Sequence, residues 1–64
     1  MLINYFDLGL HKGQEIPLFI KICETNNWEY QIYGFEAHPD YCKTISEKYK
    51  SNKNIQIINI LLNN

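Results

Sequence analysis

The sequence has no long apolar run, almost no net charge, and few residues of the kinds that bind metals or staple small domains. Its uninterrupted apolar stretches are only a few residues long. No segment is therefore expected to span a bilayer, which takes about 20 apolar residues. No basic and apolar signal opens the chain, and a cytoplasmic location is expected. The formal net charge of −1 removes the usual electrostatic basis for holding nucleic acid or an anionic membrane. There are only two cysteines, Cys23 and Cys42, and they lack metal-ligand or redox spacing. Both fall at apolar positions of expected helices and read as buried, reduced thiols. A His/Cys/Asp/Glu metal cluster, a Gly-x-Ser-x-Gly elbow and a P-loop are all absent from the sequence. No metal site is expected, and no catalytic residue is assigned.

What is present is an ordinary globular composition in a short chain. Apolar residues make up 45% and charged residues 20% of the 64, which argues against disorder. A chain of this size buries only about 60% of its unfolded surface, so its stability is marginal without staples or partners.

Five elements follow from periodicity. A strand is expected over Ile3–Asp7, then a helix from about Gln14 to Glu24. In that helix Ile16, Phe19, Ile20 and Cys23 fall at i, i+3, i+4 and i+7, and Leu18 and Ile22 are expected to widen the apolar face. Pro17 lies early enough that its missing N–H breaks no internal bond. Asn26-Asn27 reads as the helix stop. Tyr30–Phe35, aromatic and β-branched, is the second strand. A second helix starts after His38, with Pro39 at its first position and Asp40 favourably placed against the helix dipole. Tyr41, Ile45 and Tyr49 form its buried stripe. After the polar turn Ser51–Asn54, a third strand is expected over Ile55–Leu62.

The order β-α-β-α-β implies an α/β fold with a parallel sheet and right-handed crossovers. Strand order 3-2-1 is expected, with both helices on one face. Such a chain is one half of a doubly wound fold, and residues 1–64 are read as a single partial domain. An edge of the first strand is then unpaired, and the face opposite the helices is uncovered, although parallel sheets are normally buried on both sides. Ile3, Tyr5, Ile32, Ile57 and other strand residues are expected to supply apolar groups to both faces. A fragment, a truncated reading frame, or a subunit that buries this surface against another chain is expected.

The turn Asp7-Leu8-Gly9-Leu10-His11-Lys12-Gly13 joins the first strand to the first helix. It brings a carboxylate, a backbone open to close approach and a helix N-terminus to one point, as a nucleotide-like cofactor requires. The dinucleotide pattern Gly-x-Gly-x-x-Gly is broken by the side chain at His11, which disfavours a nicotinamide or flavin. Asp7 suits a cationic group, or else caps its own turn. Glu36 ends the second strand, where an ionised carboxylate accepts from both ribose hydroxyls. The basic residues Lys43, Lys48, Lys50 and Lys53 read as a solvated helix face.

Asp7-x-Gly9-x-x-x-Gly13, paired with Tyr33-Gly34-Phe35-Glu36-Ala37-His38-Pro39, resembles the S-adenosylmethionine-dependent methyltransferases of the FkbM type. The resemblance runs to the strand Asn54–Asn59. It implies the cofactor-binding half of a Rossmann-like methyltransferase fold, in which Asp7 and the backbone of Gly9, Leu10, His11 and Gly13 face the methionine part. Glu36 would take the ribose, with Ala37 and His38 near the adenine. The activity implied is methyl transfer to oxygen of a small-molecule or glycan acceptor. Leu10 stands where the family has a small residue, either crowding the cofactor or packing against the first strand. His11 stands where Asn is common, and could bond the cofactor carboxylate or a neighbouring loop. His38 reads as a residue of the second helix's N-cap region. The acceptor site of the family lies in later strands, so this chain is expected to have weak affinity and no turnover. The alternative is a non-catalytic module that pairs through its open sheet edge.

Overall fold

The computed structural model describes residues 1–60. Its elements are β1 (Leu2–Leu8), α1 (Glu15–Thr25), β2 (Glu29–Glu36), α2 (Pro39–Lys48) and β3 (Ile55–Asn59). All three strands are parallel and form one sheet. The order along it is β1-β2-β3, which is the neighbour list of the expected 3-2-1 read from the opposite edge. The ladders define neighbours: β2 is central, and β1 and β3 are its two edges. β3 stops at Asn59, short of the expected Leu62; Ile60 lies beyond it, and Leu61 and Leu62 lie outside the described residues. Among the described residues no helix is long and apolar enough to cross a membrane.

Register decides which face each strand residue serves. Tyr5 pairs with Ile32 and Ile32 with Ile55, so in a parallel ladder their side chains share one face. That face carries the core: Leu10, Ile16, Ile32 and Ile45 are buried together, and Tyr5, Phe19, Ile20, Tyr30, Tyr49, Ile55 and Ile57 pack around them. Both helices contribute to this single cluster, so both lie on the same side of the sheet. Phe19 links the layers by stacking on Tyr5 at 4.5 Å and meeting Tyr30 edge-on at 6.2 Å.

One expectation about apolar residues is corrected here. Leu18 and Ile22 do not widen the buried face of α1; they are exposed, because the core reaches only the stripe of Ile16, Phe19, Ile20 and Cys23. Strand residues do supply apolar groups to both faces, with Ile3, Tyr5, Ile32 and Ile57 all on the helix side by alternation and register. The open face is instead lined by Leu2, Phe6, Leu8, Tyr33, Phe35 and Ile58, with Phe6 stacked on Tyr33 at 5.0 Å. Phe6 and Leu8 remain 59% and 68% exposed.

Local chemistry sets the helix limits. α1 ends as expected at Asn26-Asn27: Asn27 takes the left-handed conformation (φ 56°), and the Asn27 and Trp28 N–H groups donate to the Glu24 and Cys23 carbonyls. This is a Schellman cap, with Asn in the place usually held by Gly. α2 opens with His38 as N-cap, its Nδ1 accepting from the Asp40 N–H at 3.2 Å, and Pro39 follows. Cys23 and Cys42 are free and buried.

Candidate functional site

The turn after β1 wraps over the C-terminal end of β2. Gly9 and Leu10 donate their N–H groups to the Phe35 carbonyl at 2.8 and 3.2 Å. Three of the five residues from Gly9 to Gly13 have positive φ: Gly9 (77°), His11 (53°) and Gly13 (70°). Gly13 is also tightly packed: a Cβ there would sit 3.3 Å from Ile45 Cδ1, which would have to give by a few tenths of an ångström. The tight path is therefore built by glycine at both ends and imposed on His11 between them.

Glu36 imposes it. Its side chain is 6% exposed. Oε1 accepts from the His11 N–H at 2.6 Å, and Oε2 accepts from the His38 N–H at 2.9 Å. The two N–H bonds, from His38 and then His11, hold the Glu36 carboxyl below the ordinary glutamate range, against the opposing effect of burial. The Glu36 carbonyl is also heavily used. It accepts from the Cys42 thiol at 3.1 Å, Asn59 Nδ2 at 2.9 Å and the Ile60 N–H at 3.2 Å. Asn59 Nδ2 reaches the Ala37 carbonyl as well, at 3.2 Å. One residue thus ties the first loop, the second loop and β3 together.

Asp7 is the contrasting acid. It pairs in register with Gly34, on the helix face. Its Oδ2 is buried and has no hydrogen-bond partner. Burial pushes the Asp7 carboxyl above the ordinary range. The nearby Glu15 adds to this, while His11 opposes. The same desolvation, helped by Asp7 and Glu15, raises the Tyr5 phenol.

Leu10 belongs to the core cluster, against which Tyr5 of β1 also packs. It is 1% exposed and sits on β2, where a Cβ on Gly34 would lie 2.9 Å from Leu10 Cγ and 3.1 Å from Ile57 Cδ1. The absence of a side chain at Gly34 makes the seat that Leu10 fills. His11 directs its backbone to Glu36 and its ring toward Tyr41, 6.4 Å away. His38 stacks on the same Tyr41 ring, at 4.5 Å. Ala37 is exposed.

The turn and the end of β2 therefore come together, with Asp7, Gly9, Leu10, His11, Gly13, Glu36, Ala37 and His38 in one neighbourhood. Sequence reasoning missed the participation of Tyr41, Thr44, Lys12 and Asn59. Tyr41 was assigned to the core stripe of α2 by spacing alone, and the amide of Asn59 gave no periodic signal. Among the described residues no group of three His, Cys, Asp or Glu is placed to hold a metal. No protein-family model matches the chain, and no curated protein matches it.

An S-adenosyl ligand can be tested against these groups. The orphaned Asp7 Oδ2 suits a cationic head, since a buried carboxylate oxygen without a partner gains most from an ammonium. Glu36 suits the ribose less directly. Each of its oxygens retains a lone pair, but both already hold backbone N–H groups.

Proposed function

We propose that this chain carries the S-adenosylmethionine-binding part of a methyltransferase resembling the FkbM type. The observation that supports it most is the convergence of the Asp7–Gly13 turn on Glu36, through the 2.6 Å bond from the His11 N–H. Asp7 would face the ligand's ammonium, and the backbone of Gly9 to Gly13 would approach its carboxylate without a Cβ at either end. Glu36 would position the turn and offer its remaining lone pairs to the ribose, beside Ala37 and His38. When bound, S-adenosylmethionine supplies an electrophilic methyl group on a sulfonium; the acceptor would be an oxygen of a small molecule or glycan. The residues of this chain bind and orient, and none of them is assigned proton transfer.

Titration calorimetry of the chain with S-adenosylhomocysteine tests this reading. Weak saturable binding is expected, lowered at least about tenfold by Asp7→Ala, the equivalent of one charge-assisted contact. Absence of heat, or a heat indifferent to Asp7→Ala, would sink it.

A second reading has its own observation. Leu2, Phe6 and Leu8 are exposed along an edge strand that lacks Lys, Pro or a bulge, and such edges pair with other chains. A module that associates through β1 would elute as a concentration-dependent oligomer in size exclusion with light scattering. A monomer at all concentrations would count against it.

A further inference from the structure

We propose that the cleft between the Gly9–Gly13 turn and α2 binds a small planar organic anion: one aromatic ring bearing a carboxylate. This site does not rest on the methyltransferase reading and uses side chains that reading leaves idle.

The cleft has a volume of about 260 Å³ and is lined by His11, Lys12, Tyr41, Thr44 and Ile45. Pockets for drug-sized ligands run from about 300 Å³ upward, so this one suits a single ring. Its chemistry is split. Ile45, the Tyr41 ring and the His11 imidazole offer flat and apolar surface for stacking. Lys12 supplies an ammonium and Thr44 a hydroxyl, and none of the five lining residues is acidic. On α2, Tyr41, Thr44 and Ile45 fall at i, i+3 and i+4 and so share one stripe; one turn along, the Lys48 ammonium lies over the Tyr49 ring, 5.5 Å from its centroid. The acids Asp40 and Glu47 fall on the adjacent stripe, and Glu47 already faces Lys50 at 3.8 Å.

The walls are also held in place before any ligand arrives. Tyr41 is braced by His38 stacked at 4.5 Å with an interplanar angle of 28°. His11 sits at φ 53°, a left-handed conformation that is uncommon for a non-glycine residue and needs support from its surroundings. The buried Glu36 carboxylate gives that support through the His11 N–H. The result is an imidazole inclined 60° to the Tyr41 ring, leaving the rings open to a guest rather than closed on each other. Preorganised walls lower the cost of binding.

The test is a nuclear magnetic resonance titration of the whole chain with sodium benzoate. Saturable shifts at His11, Lys12, Tyr41 and Thr44 are expected, with a dissociation constant of about 1 mM, as ligand size permits. Benzyl alcohol (ring without charge) and inorganic phosphate (charge without ring) should each bind at least about tenfold more weakly. Lys12→Gln, at an exposed position that leaves the fold intact, should weaken benzoate about fivefold or more. Tyr41→Leu should do the same. Non-saturating shifts up to about 20 mM, or either control probe binding as well as benzoate, would overturn the proposal. So would an unchanged affinity in Lys12→Gln.

Discussion

Two parallel neighbours, β1 and β2, each deliver an acid to the same end of the sheet, and the two acids are treated in opposite ways. Glu36 is buried but doubly bonded, and its carboxyl is held below the ordinary range. Asp7 has a buried oxygen with no partner and faces Glu15, and its carboxyl is pushed up. Burial raises both; the difference lies in the backbone donors. The turn spends its N–H groups on Glu36 and on the Phe35 carbonyl, and none reaches Asp7. The lesson is that position at a strand end does not define a carboxylate's role. The donors that converge on it do.

The largest way to break this contrast is Glu36→Gln. The amide offers one acceptor where the carboxylate offers two, so a backbone N–H is left facing an NH₂ group. A loss of about 2–3 kcal/mol is expected, read as a lower urea midpoint. That is a large share of the roughly 3–10 kcal/mol available to a domain of this length. A midpoint within experimental error of the native one would show that the carboxylate does not hold the loops. Next in size is Gly34→Ala, which drives a Cβ into the buried Leu10 at the point where the turn crosses β2. About 1–3 kcal/mol should be lost, and combining it with Leu10→Ala should cost less than the two changes summed. Additive losses would mean that Leu10 and Gly34 do not share a seat.

The smallest effect is Asp7→Asn, and its sign is the informative part. A carboxyl raised in the fold contributes stability that is complete below its unfolded value, about 3.9. That contribution is lost as pH rises through the higher folded value. Glu36, lowered in the fold, does the reverse: its contribution is present above about 4.3 and is lost as pH falls through its lower folded value. In the native chain the two trends oppose each other under mild acid. Asp7→Asn should therefore match or exceed native stability near neutral pH, by up to about 1 kcal/mol, and show a steeper acid limb. Thermal melts between pH 3 and pH 7 would check it; a variant less stable at every pH would reverse the assignment.

Most of the fold was legible in the sequence, because β-α-β-α-β alternation, Pro39 after His38 and the Asn26-Asn27 stop are local signals. The site was legible only in part. The pairing of the Asp7–Gly13 turn with Glu36 could be anticipated from two strand ends in a parallel sheet. The use made of Glu36 could not, since its hydrogen bond to the turn joins residues 25 apart and depends on the loop's positive φ angles. The seat of Leu10 on Gly34 was hidden for a related reason: it exists only once β1 and β2 are in register. Leu18 and Ile22 were misassigned because apolar identity was read as burial, whereas a three-stranded sheet is too narrow to cover a wide helix face.

The Glu36 clamp also bears on the order of folding events. Its carboxylate meets the His11 and His38 amides only after β1, α1 and β2 have aligned and the turn has closed over them. Such a contact belongs to the native side of the barrier. In kinetic terms Glu36→Gln should leave the refolding rate nearly unchanged and speed unfolding, as expected for a contact absent from the transition state. The acid at the end of β2 then governs how long the assembled molecule persists, and has little say in how quickly it forms.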